Sequence, residues 1–232
     1  SIEFKDTTYR YPEADLDTLR SINLAVNEGE KVAILGRNGS GKSTLMKLAS
    51  GLFKASDGLV MYDGVDIKQL HTDDLSKSIG IVLQDVQLFS GSIRENITMG
   101  REDINQDDLI NAGKLSGLDD FVSKIPGGYD LQLSDGGKGL SGGQRQSIAL
   151  ARAIVHKPTH FILDEPTSAM DMNAENIFIS QMGSIMQDST MLIVTHRMPL
   201  LNLVDRIIVM NEGQIVEDGP KEEIINKLNQ PR

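Results

Sequence analysis

The stretch "KVAILGRNGSGKSTLMKLAS", residues 31–50, joins an apolar run, a glycine-rich loop and the beginning of a helix-like pattern. Its central part, Gly36–Thr44, satisfies the spacing G-x-x-x-x-G-K-[ST] in that strand–loop–helix context. Glycines allow successive backbone N–H groups to face phosphate oxygens, and the helix N-terminus adds partial positive charge. We therefore predict a nucleotide-phosphate loop in which Lys42 reaches the β- and γ-phosphates and Ser43 binds Mg²⁺.

Five short apolar runs rich in Val and Ile alternate with helix-like stretches along the chain. The runs are "KVAIL" 31–35, "IGIVL" 79–83, "HFILD" 160–164, "MLIVT" 191–195 and "RIIVM" 206–210. Near-continuous apolar strands that are separated by helices predict a parallel sheet with helices on both faces. The expected fold class is therefore α/β.

Two hairpin signals interrupt this pattern, and one long segment lacks strand signals. "GLVMYDGVDI" turns at Asp63–Gly64, and "RIIVMNEGQIVE" turns at Glu212–Gly213. The first hairpin, together with residues 1–27, predicts a small antiparallel sheet beside the core. From about Ser92 to Leu140 the sequence is polar and compatible with helices, which predicts an inserted helical subdomain.

Length and composition exclude several classes of protein. A chain of 232 residues fits one large domain with subdomains, and its net charge of -10 argues against a surface that binds nucleic acid. The chain has no cysteine, which excludes disulfides and thiolate metal sites. No apolar stretch reaches the length of a membrane span, and the first residues lack the layout of a signal peptide. Because the chain begins without Met at a strand-like segment, we expect it to be a fragment of something longer.

Two adjacent carboxylates end the apolar run "HFILDEPTS". Sheets of this class bind their ligands at the carboxyl ends of the strands, so Asp164 is placed to bind the metal ion of a nucleotide. Glu165 follows directly and is placed to polarise a water molecule aimed at the γ-phosphate, as a general base. The alternative is a solvated acidic strand end without a function, which the nearby phosphate loop makes less favourable.

A second glycine-rich turn, "LSGGQ" at residues 140–144, opens the helix-like run "QRQSIALARAIVHK". Ser141 is a natural N-cap, and Gly142 and Gly143 leave the N–H groups of the first turn uncovered. A simple capped helix and a phosphate-binding helix start explain this pattern equally well on physical grounds. No lysine follows, so the segment is not a second phosphate loop of the first kind.

In combination these segments resemble the nucleotide-binding domain of ATP-binding cassette (ABC) transporters. "LSGGQ" matches that family's signature motif and lies 23 residues before Asp164. The resemblance implies an α/β, P-loop NTPase (RecA-like) core with a mainly parallel sheet, a small antiparallel β subdomain and an inserted α-helical subdomain. It also implies a single domain, with an ATPase core at about residues 1–91 and 150–232 and the helical subdomain at about 92–149.

The resemblance further implies ATP and Mg²⁺ as cofactors, and a head-to-tail dimer in which the signature of one copy closes over the ATP of the other. Gln84 matches the glutamine that contacts Mg²⁺, and His196 matches the histidine that touches the γ-phosphate. Asp171 matches an aspartate that reaches across the dimer, and Tyr11 matches the aromatic that stacks on adenine, with Tyr9 as the alternative. The expected catalytic residues are Glu165, His196, Lys42 and Gln84, and the expected metal ligands are Ser43, Gln84 and Asp164. The expected nucleotide contacts are Tyr11, Gly36, Asn38, Gly39, Ser40, Gly41, Lys42, Ser43, Thr44, Ser141, Gly142, Gly143, Gln144 and Asp171.

A pair of histidines has the spacing of two metal ligands on a helix but is not interpreted as one. His156 and His160 are four residues apart, yet Pro158 lies between them and disfavours the helix that would align them. We predict a loop between a helix and a strand here, without zinc.

Several stretches are similar to exporters rather than importers, and within exporters to bacterial type I secretion ATPases. The exporter-like stretches are "LQDVQLFSGSIRENITMG" and "IPGGYDLQLSDGGKGLSGGQ". The stretches most similar to type I secretion ATPases are "DEPTSAMD" and "THRMPLLNLVDRIIVMNEGQIVEDGPKEEII". This similarity implies a transmembrane exporter domain as partner and a location on the cytoplasmic face of the bacterial inner membrane. One departure is Ser134–Gly137, where such exporters commonly have Gly-Glu-Arg-Gly.

Two other functions are compatible with the motifs. One is a soluble ATP-gated clamp in DNA repair or translation, which the acidic charge and the interval of only 99 residues between Lys42 and Ser141 disfavour. The other is a regulatory module that binds ATP without turnover, which the presence of both Glu165 and His196 disfavours.

Overall fold

Six strands form the main sheet of the computed structural model, which describes residues 1–229 apart from the side chains of residues 135 and 184. The strands of the chain are β1 (Ile2–Tyr9), β2 (Leu19–Val26), β3 (Lys31–Gly36), β4 (Asp57–Tyr62), β5 (Val65–Asp66), β6 (Ile79–Val82), β7 (Gly91–Ser92), β8 (Gln132–Leu133), β9 (His160–Asp164), β10 (Thr190–Val194), β11 (Arg206–Asn211) and β12 (Gln214–Pro220). The helices are α1 (Lys42–Ala49), α2 (Thr72–Ser78), α3 (Ile93–Thr98), α4 (Gln106–Leu115), α5 (Asp119–Val122), α6 (Gly142–Ile154), α7 (Met172–Ile185) and α8 (Lys221–Asn229).

The main sheet has the strand order β12-β11-β3-β10-β9-β6, and every neighbouring pair except β11–β12 is parallel. Its central strands are buried on both faces. In β9, Ile162 joins the core on one face, whereas Phe161 and Leu163 join the core on the other. The prediction of a parallel sheet covered on both faces is confirmed, and so is the α/β class.

A four-stranded antiparallel sheet, β2-β1-β4-β5, lies beside the main sheet, as predicted from the first hairpin. The side chains between the two sheets form one apolar core, which includes Leu45, Met46 and Leu48 of α1 at 0% exposure. Because α1 is fixed between two sheets, the loop that precedes it has a rigid support.

The second predicted hairpin forms the antiparallel edge of the main sheet and braces the phosphate loop. Its turn places the N–H of Gly213 3.1 Å from the carbonyl oxygen of Ser40. A Cβ atom at Gly213 would overlap the carbonyl oxygen of Thr18, and the residue has a φ of +76°. Both facts require glycine at this turn.

The segment between β7 and α6 is mainly helical: α3 and α4 pack against α6, and α5 packs against α4. It differs from the prediction in one detail, since β7 and β8 pair as a two-residue antiparallel ladder. Two residues are too short to produce a periodic signal in the sequence. Helix α6 is continuous from Gly142 to Ile154, so the subdomain boundary expected near residue 149 falls inside one helix.

Two segments that the sequence singled out flank α6: the loop after it and the segment Ser134–Gly137 before it. The residues between α6 and β9, which include His156 and Pro158, form a loop as expected. Before α6, Gly136 and Gly137 both have a φ of +67°, which a side chain disfavours, while the side chain of Asp135 lies outside the described part. Within residues 1–229 no helix is both long enough and apolar enough to cross a membrane.

Candidate functional site

The phosphate loop connects β3 to α1, and its backbone requires glycine at the first position. Gly36 has a φ of +151°, and a Cβ atom there would overlap the carbonyl oxygen of Met210 and lie 2.7 Å from Ser40 Oγ. Gly41 is the N-cap residue of α1 with a φ of +100°, and it provides no side-chain cap. The first N–H groups of α1 therefore lack a side-chain acceptor at the position where an anion binds most favourably.

Lys42 lies at the start of α1 and points back into the loop. Its Nζ atom donates hydrogen bonds to the carbonyl oxygens of Gly36 at 2.8 Å and Arg37 at 3.0 Å, and the residue is 7% exposed. Burial lowers the pKa of this ammonium group, while the negative charges of Asp164 and Glu165 oppose the shift. The structure thus brings Lys42 close enough to Asp164 and Glu165 for their charges to interact.

Two buried oxygens near this group have no hydrogen-bond partner within the described residues. They are Asp164 Oδ1 and Ser40 Oγ, on residues that are each 3% exposed. Burial raises the pKa of Asp164, although a hydrogen bond from Ser43 and the charge of Lys42 oppose the shift. An unpartnered buried carboxylate oxygen beside a serine hydroxyl is the kind of oxygen donor set that Mg²⁺ prefers, so these residues fit the expected metal.

Glu165 follows β9 in a left-handed conformation, with a φ of +49°. Its N–H donates to the carbonyl oxygen of Val194 at 2.9 Å, and its Oε1 lies 3.7 Å from His196 Nε2. Burial raises the pKa of the Glu165 carboxyl, and His196 opposes the shift. Because β9 and β10 are neighbouring parallel strands, the residues that follow them meet at one edge of the sheet.

Three of the residues expected to contact the nucleotide or its metal ion lie exposed at the edge of this group. Asn38, Gly39 and Gln84 are exposed, and Gln84 lies two residues after the end of β6. Burial is the main cause of the raised pKa of Asp164, and the charge of Asp85, next to Gln84, adds to it. Gln84 lines a cleft together with Gln146 and Ala169.

Tyr11 and Tyr9 have different surroundings, which separates the two candidates for adenine stacking. Tyr9 is 8% exposed and stacks on Phe53 with ring centroids 5.2 Å apart. Tyr11 is half-buried, meets both of these rings edge-on, and its hydroxyl lies 3.1 Å from Thr44 Oγ1. The face of Tyr9 is therefore already covered by Phe53, whereas Tyr11 lies beside the phosphate-loop helix.

The signature residues form a second group. Ser141 is the N-cap of α6, as predicted: its Oγ accepts from the N–H of Gln144 at 3.2 Å, and Gln144 Oε1 accepts from the N–H of Ser141 at 2.8 Å. This capping box uses only one of the first-turn N–H groups. Ser141, Gly142, Gly143, Gln144 and Asp171 line a common cleft of about 340 Å³. Asp171 is itself the N-cap of α7 and accepts from the N–H of Ala174 at 2.9 Å.

The sequence interpretation missed two contacts that hold the residues between Glu165 and Asp171. Gln146 is 2% exposed and bonds to the backbone of both Glu165 and Ala169. On the other side, Glu175 accepts from Thr167 Oγ1 at 2.6 Å and forms an ion pair with Arg197 at 2.9 Å. No short-range pattern in the sequence indicated Gln146, because a glutamine on an amphipathic helix is usually exposed.

Comparison with known proteins assigns the family. The ABC transporter family profile matches residues 19–168. Cyclolysin secretion/processing ATP-binding protein CyaB of Bordetella pertussis is 40% identical over 225 residues, which is 97% of this chain and 32% of that protein. Leukotoxin export ATP-binding protein LtxB of Aggregatibacter actinomycetemcomitans is 42% identical over 224 residues, 97% of this chain and 32% of that protein. Leukotoxin translocation ATP-binding protein LktB of Mannheimia haemolytica is 42% identical over 228 residues, with shares of 98% and 32%.

A solved structure agrees with these relatives. A bacterial Atm1-family ABC exporter with ATP bound superposes with a TM-score of 0.90 and 31% identity, over 98% of this chain and 40% of that chain. The present chain spans about a third of the length of the curated relatives it matches. The predicted family, its fold and the similarity to secretion ATP-binding proteins are confirmed. The chain therefore belongs to the ABC transporter family, of which it is an ATP-binding domain with the fold of an exporter ATPase.

Proposed function

We propose that the chain is the ATP-hydrolysing motor domain of a bacterial exporter for proteins or peptides, located on the cytoplasmic face of the inner membrane. One observation carries the chemical part of this proposal: Lys42, Asp164, Glu165 and His196 form one group at the carboxyl ends of the main-sheet strands. The relatives support the transport part, because they are named for secretion, export and translocation of toxins. The same names favour an exporter over a soluble clamp.

In the proposed binding mode, the phosphates of ATP lie on the N–H groups of residues 36–44 and at the N-terminus of α1. Lys42 is held at the loop by two carbonyl oxygens and exchanges them for the β- and γ-phosphates. Ser43, Asp164 and Gln84 would hold Mg²⁺, which neutralises charge on the phosphates when bound. Tyr11 supplies an aromatic face for adenine.

In the proposed hydrolysis step, the Glu165 carboxylate accepts a proton from the attacking water while His196 donates a hydrogen bond toward the γ-phosphate. Partial burial of Glu165 raises its pKa, which makes the carboxylate a stronger base than one in water. His196, whose side chain is 53% exposed, is free to face a nucleotide at the surface of the domain.

We further propose a head-to-tail dimer, with the signature of one copy at the γ-phosphate bound by the other. The support is that Ser141, Gly142 and Gly143 lie at a helix start in a cleft with Asp171, while their hydrogen bonds leave first-turn N–H groups available. For coupling we propose an ATPase core, about 1–91 and 150–232, and a helical subdomain, about 92–149, which are joined through the continuous helix α6. In this proposal the helical subdomain faces a transmembrane exporter domain.

The test combines kinetics with one variant. ATPase activity of the purified protein should rise more than linearly with protein concentration, because each site needs a second copy. Glu165→Gln should lower turnover by about 10² or more and trap an ATP-bound dimer visible by light scattering. Activity strictly proportional to concentration would contradict the dimer, and normal hydrolysis by Glu165→Gln would contradict the base assignment.

A further inference from the structure

The buried side chain of Gln146 attaches the loop that carries Glu165 to α6. Gln146 Nε2 donates to the carbonyl oxygen of Glu165 at 3.0 Å, and Gln146 Oε1 accepts from the N–H of Ala169 at 3.0 Å. The amide thus bonds to both ends of residues 165–169 with its donor and its acceptor. At 2% exposure, neither bond is in competition with bulk water.

Glu165 needs this support because its backbone conformation is unfavourable. A φ of +49° is uncommon for a residue with a Cβ atom and persists only where surrounding contacts fix it. Here the N–H is fixed by Val194, and the carbonyl oxygen accepts from Gln146 and, at 3.2 Å, from the N–H of Ser168. Removing the Gln146 amide removes one of these three hydrogen bonds to the Glu165 backbone and leaves the N–H of Ala169 without its acceptor.

The same loop is in direct contact with the first turn of α6. A Cβ atom at Gly142 would lie 3.1 Å from Ala169 Cβ, so the absence of a side chain at Gly142 allows α6 to approach the loop closely. Gln146 follows one turn later on the same helix. Helix α6 therefore touches the loop through both its first turn and the Gln146 amide.

We propose that Gln146 is a positioning residue for hydrolysis, which holds residues 165–169 so that the Glu165 carboxylate is oriented toward the attacking water. This proposal rests on the proposed function of Glu165 as the general base. It makes the geometry of the base depend on α6, the helix that begins at the signature residues. Glu165 remains the catalytic residue, and Gln146 acts only through it.

The experiment compares Gln146→Met, which keeps the side-chain length and removes both hydrogen bonds, with a matched control. Asn96 is also a 2% exposed amide that bonds to the backbone of another segment, accepting from the N–H of Phe89 at 2.8 Å and donating to its carbonyl oxygen at 2.9 Å. The same amide donates to the carbonyl oxygen of Ser92 at 3.0 Å and accepts from Arg152 at 3.3 Å. Asn96→Leu therefore removes a comparable buried clamp outside the group around Lys42 and Glu165. Thermal unfolding of both variants measures the structural cost.

For Gln146→Met in the purified 232-residue protein, kcat for ATP should fall about tenfold to a hundredfold, while KM changes by less than about threefold. Amide hydrogen exchange of residues 165–169 should become faster without nucleotide present. Asn96→Leu should speed exchange near Phe89 and leave kcat within about twofold. Gln146→Glu is the second variant, used if Gln146→Met does not fold. It keeps the oxygen that accepts from Ala169 but loses the N–H that donates to Glu165, so it should also lower kcat.

The outcomes separate the two proposals. If Gln146→Met or Gln146→Glu hydrolyses ATP at the wild-type rate while Glu165→Gln is inactive, the positioning role is wrong and the base assignment stands. An equal loss of kcat in Asn96→Leu would show that the effect is general destabilisation, which also overturns the positioning role. If Glu165→Gln hydrolyses normally, the proposed function of Glu165 is wrong, whatever Gln146→Met does.

Discussion

The Oε1 atom of Glu165 lies 3.7 Å from His196 Nε2, at the edge where β9 and β10 end. This spacing leaves the two side chains in electrostatic contact without a short hydrogen bond. Both are therefore available to a third group, which in the proposed reaction is the water between Glu165 and the γ-phosphate. In the proposed reaction, this pair combines the acceptance of the proton by Glu165 with the orientation of the γ-phosphate by His196.

The pH dependence of hydrolysis should report this pair. Burial raises the pKa of Glu165 above the value of about 4.3 found in water, and the base is active only when it is deprotonated. Activity should therefore fall, as pH decreases, at a higher pH than for an exposed glutamate. Initial ATPase rates at saturating ATP measure this fall in activity at acidic pH. ATP binding over the same pH range is the control. Constant kcat down to pH 5 would contradict the assignment.

Substitutions at Ser141 should separate the role of the helix cap from the role at a second nucleotide. Ser141→Arg introduces a large side chain at the mouth of the signature cleft, so we expect ATP binding at the Lys42 loop to remain within about threefold while dimer formation and hydrolysis are lost. Fluorescent nucleotide titration and light scattering measure the two effects. Loss of nucleotide binding by the monomer would contradict the across-the-interface role.

Ser92 provides the matched control for the cap itself. It forms the same capping box at the start of α3, with Ser92 Oγ accepting from the N–H of Glu95 and Glu95 accepting from the N–H of Ser92. Ser92→Ala should cost about 1 kcal/mol of unfolding free energy and leave the ATPase activity of the folded protein unchanged.

Ser141→Asp keeps a good N-cap residue but places a negative charge where the phosphate would lie in the proposed dimer. The variant should therefore lose hydrolysis without losing stability.

Much of the fold and the first group of site residues could be predicted from the sequence, for physical reasons. The strand before Gly36 and the one that ends at Asp164 are continuous apolar runs, and parallel sheets place their ligands at the strand ends. Ser141 could be predicted as an N-cap because its cap partner, Gln144, is three residues away in the chain. These features depend on short-range patterns.

Gln146 and the Glu175–Arg197 ion pair could not be predicted, because their partners are distant in sequence. The Gln146 amide bonds to residues 19 and 23 positions further along the chain. A glutamine on an amphipathic helix is usually at the surface, and its burial depends on where the 165–169 loop folds back. The ladder between β7 and β8 was missed for a similar reason, since each strand contributes only two residues.

Two glycines of the phosphate loop should respond differently to alanine. At Gly36 a Cβ atom would overlap the carbonyl oxygen of Met210. At Gly39 a Cβ atom would have no atom of the described residues within 4 Å, its chain neighbours aside, so the φ of +80° is what opposes a side chain there. Gly36→Ala should therefore lower the unfolding free energy by more than about 3 kcal/mol, and Gly39→Ala by about 1–2 kcal/mol. Urea unfolding of both variants measures the difference, and equal losses would contradict the overlap at Met210.

Asp164→Asn should stabilise the protein at neutral pH when nucleotide and Mg²⁺ are omitted. Burial raises the pKa of Asp164 above its value in the unfolded chain, so the folded state binds the proton more tightly. The wild-type protein therefore has an unfavourable contribution above the folded pKa, and this contribution disappears as pH falls through it. We expect a gain of about 1 kcal/mol at pH 8, since Asp164 Oδ1 has no hydrogen-bond partner in the described part of the chain, and a smaller gain at acidic pH. Chemical unfolding at both pH values measures the gain, and ATP titrations with Mg²⁺ should show weaker binding by Asp164→Asn. A variant less stable than wild type at pH 8, or equally stabilised at both pH values, would show that the charge of Asp164 is already compensated within the fold.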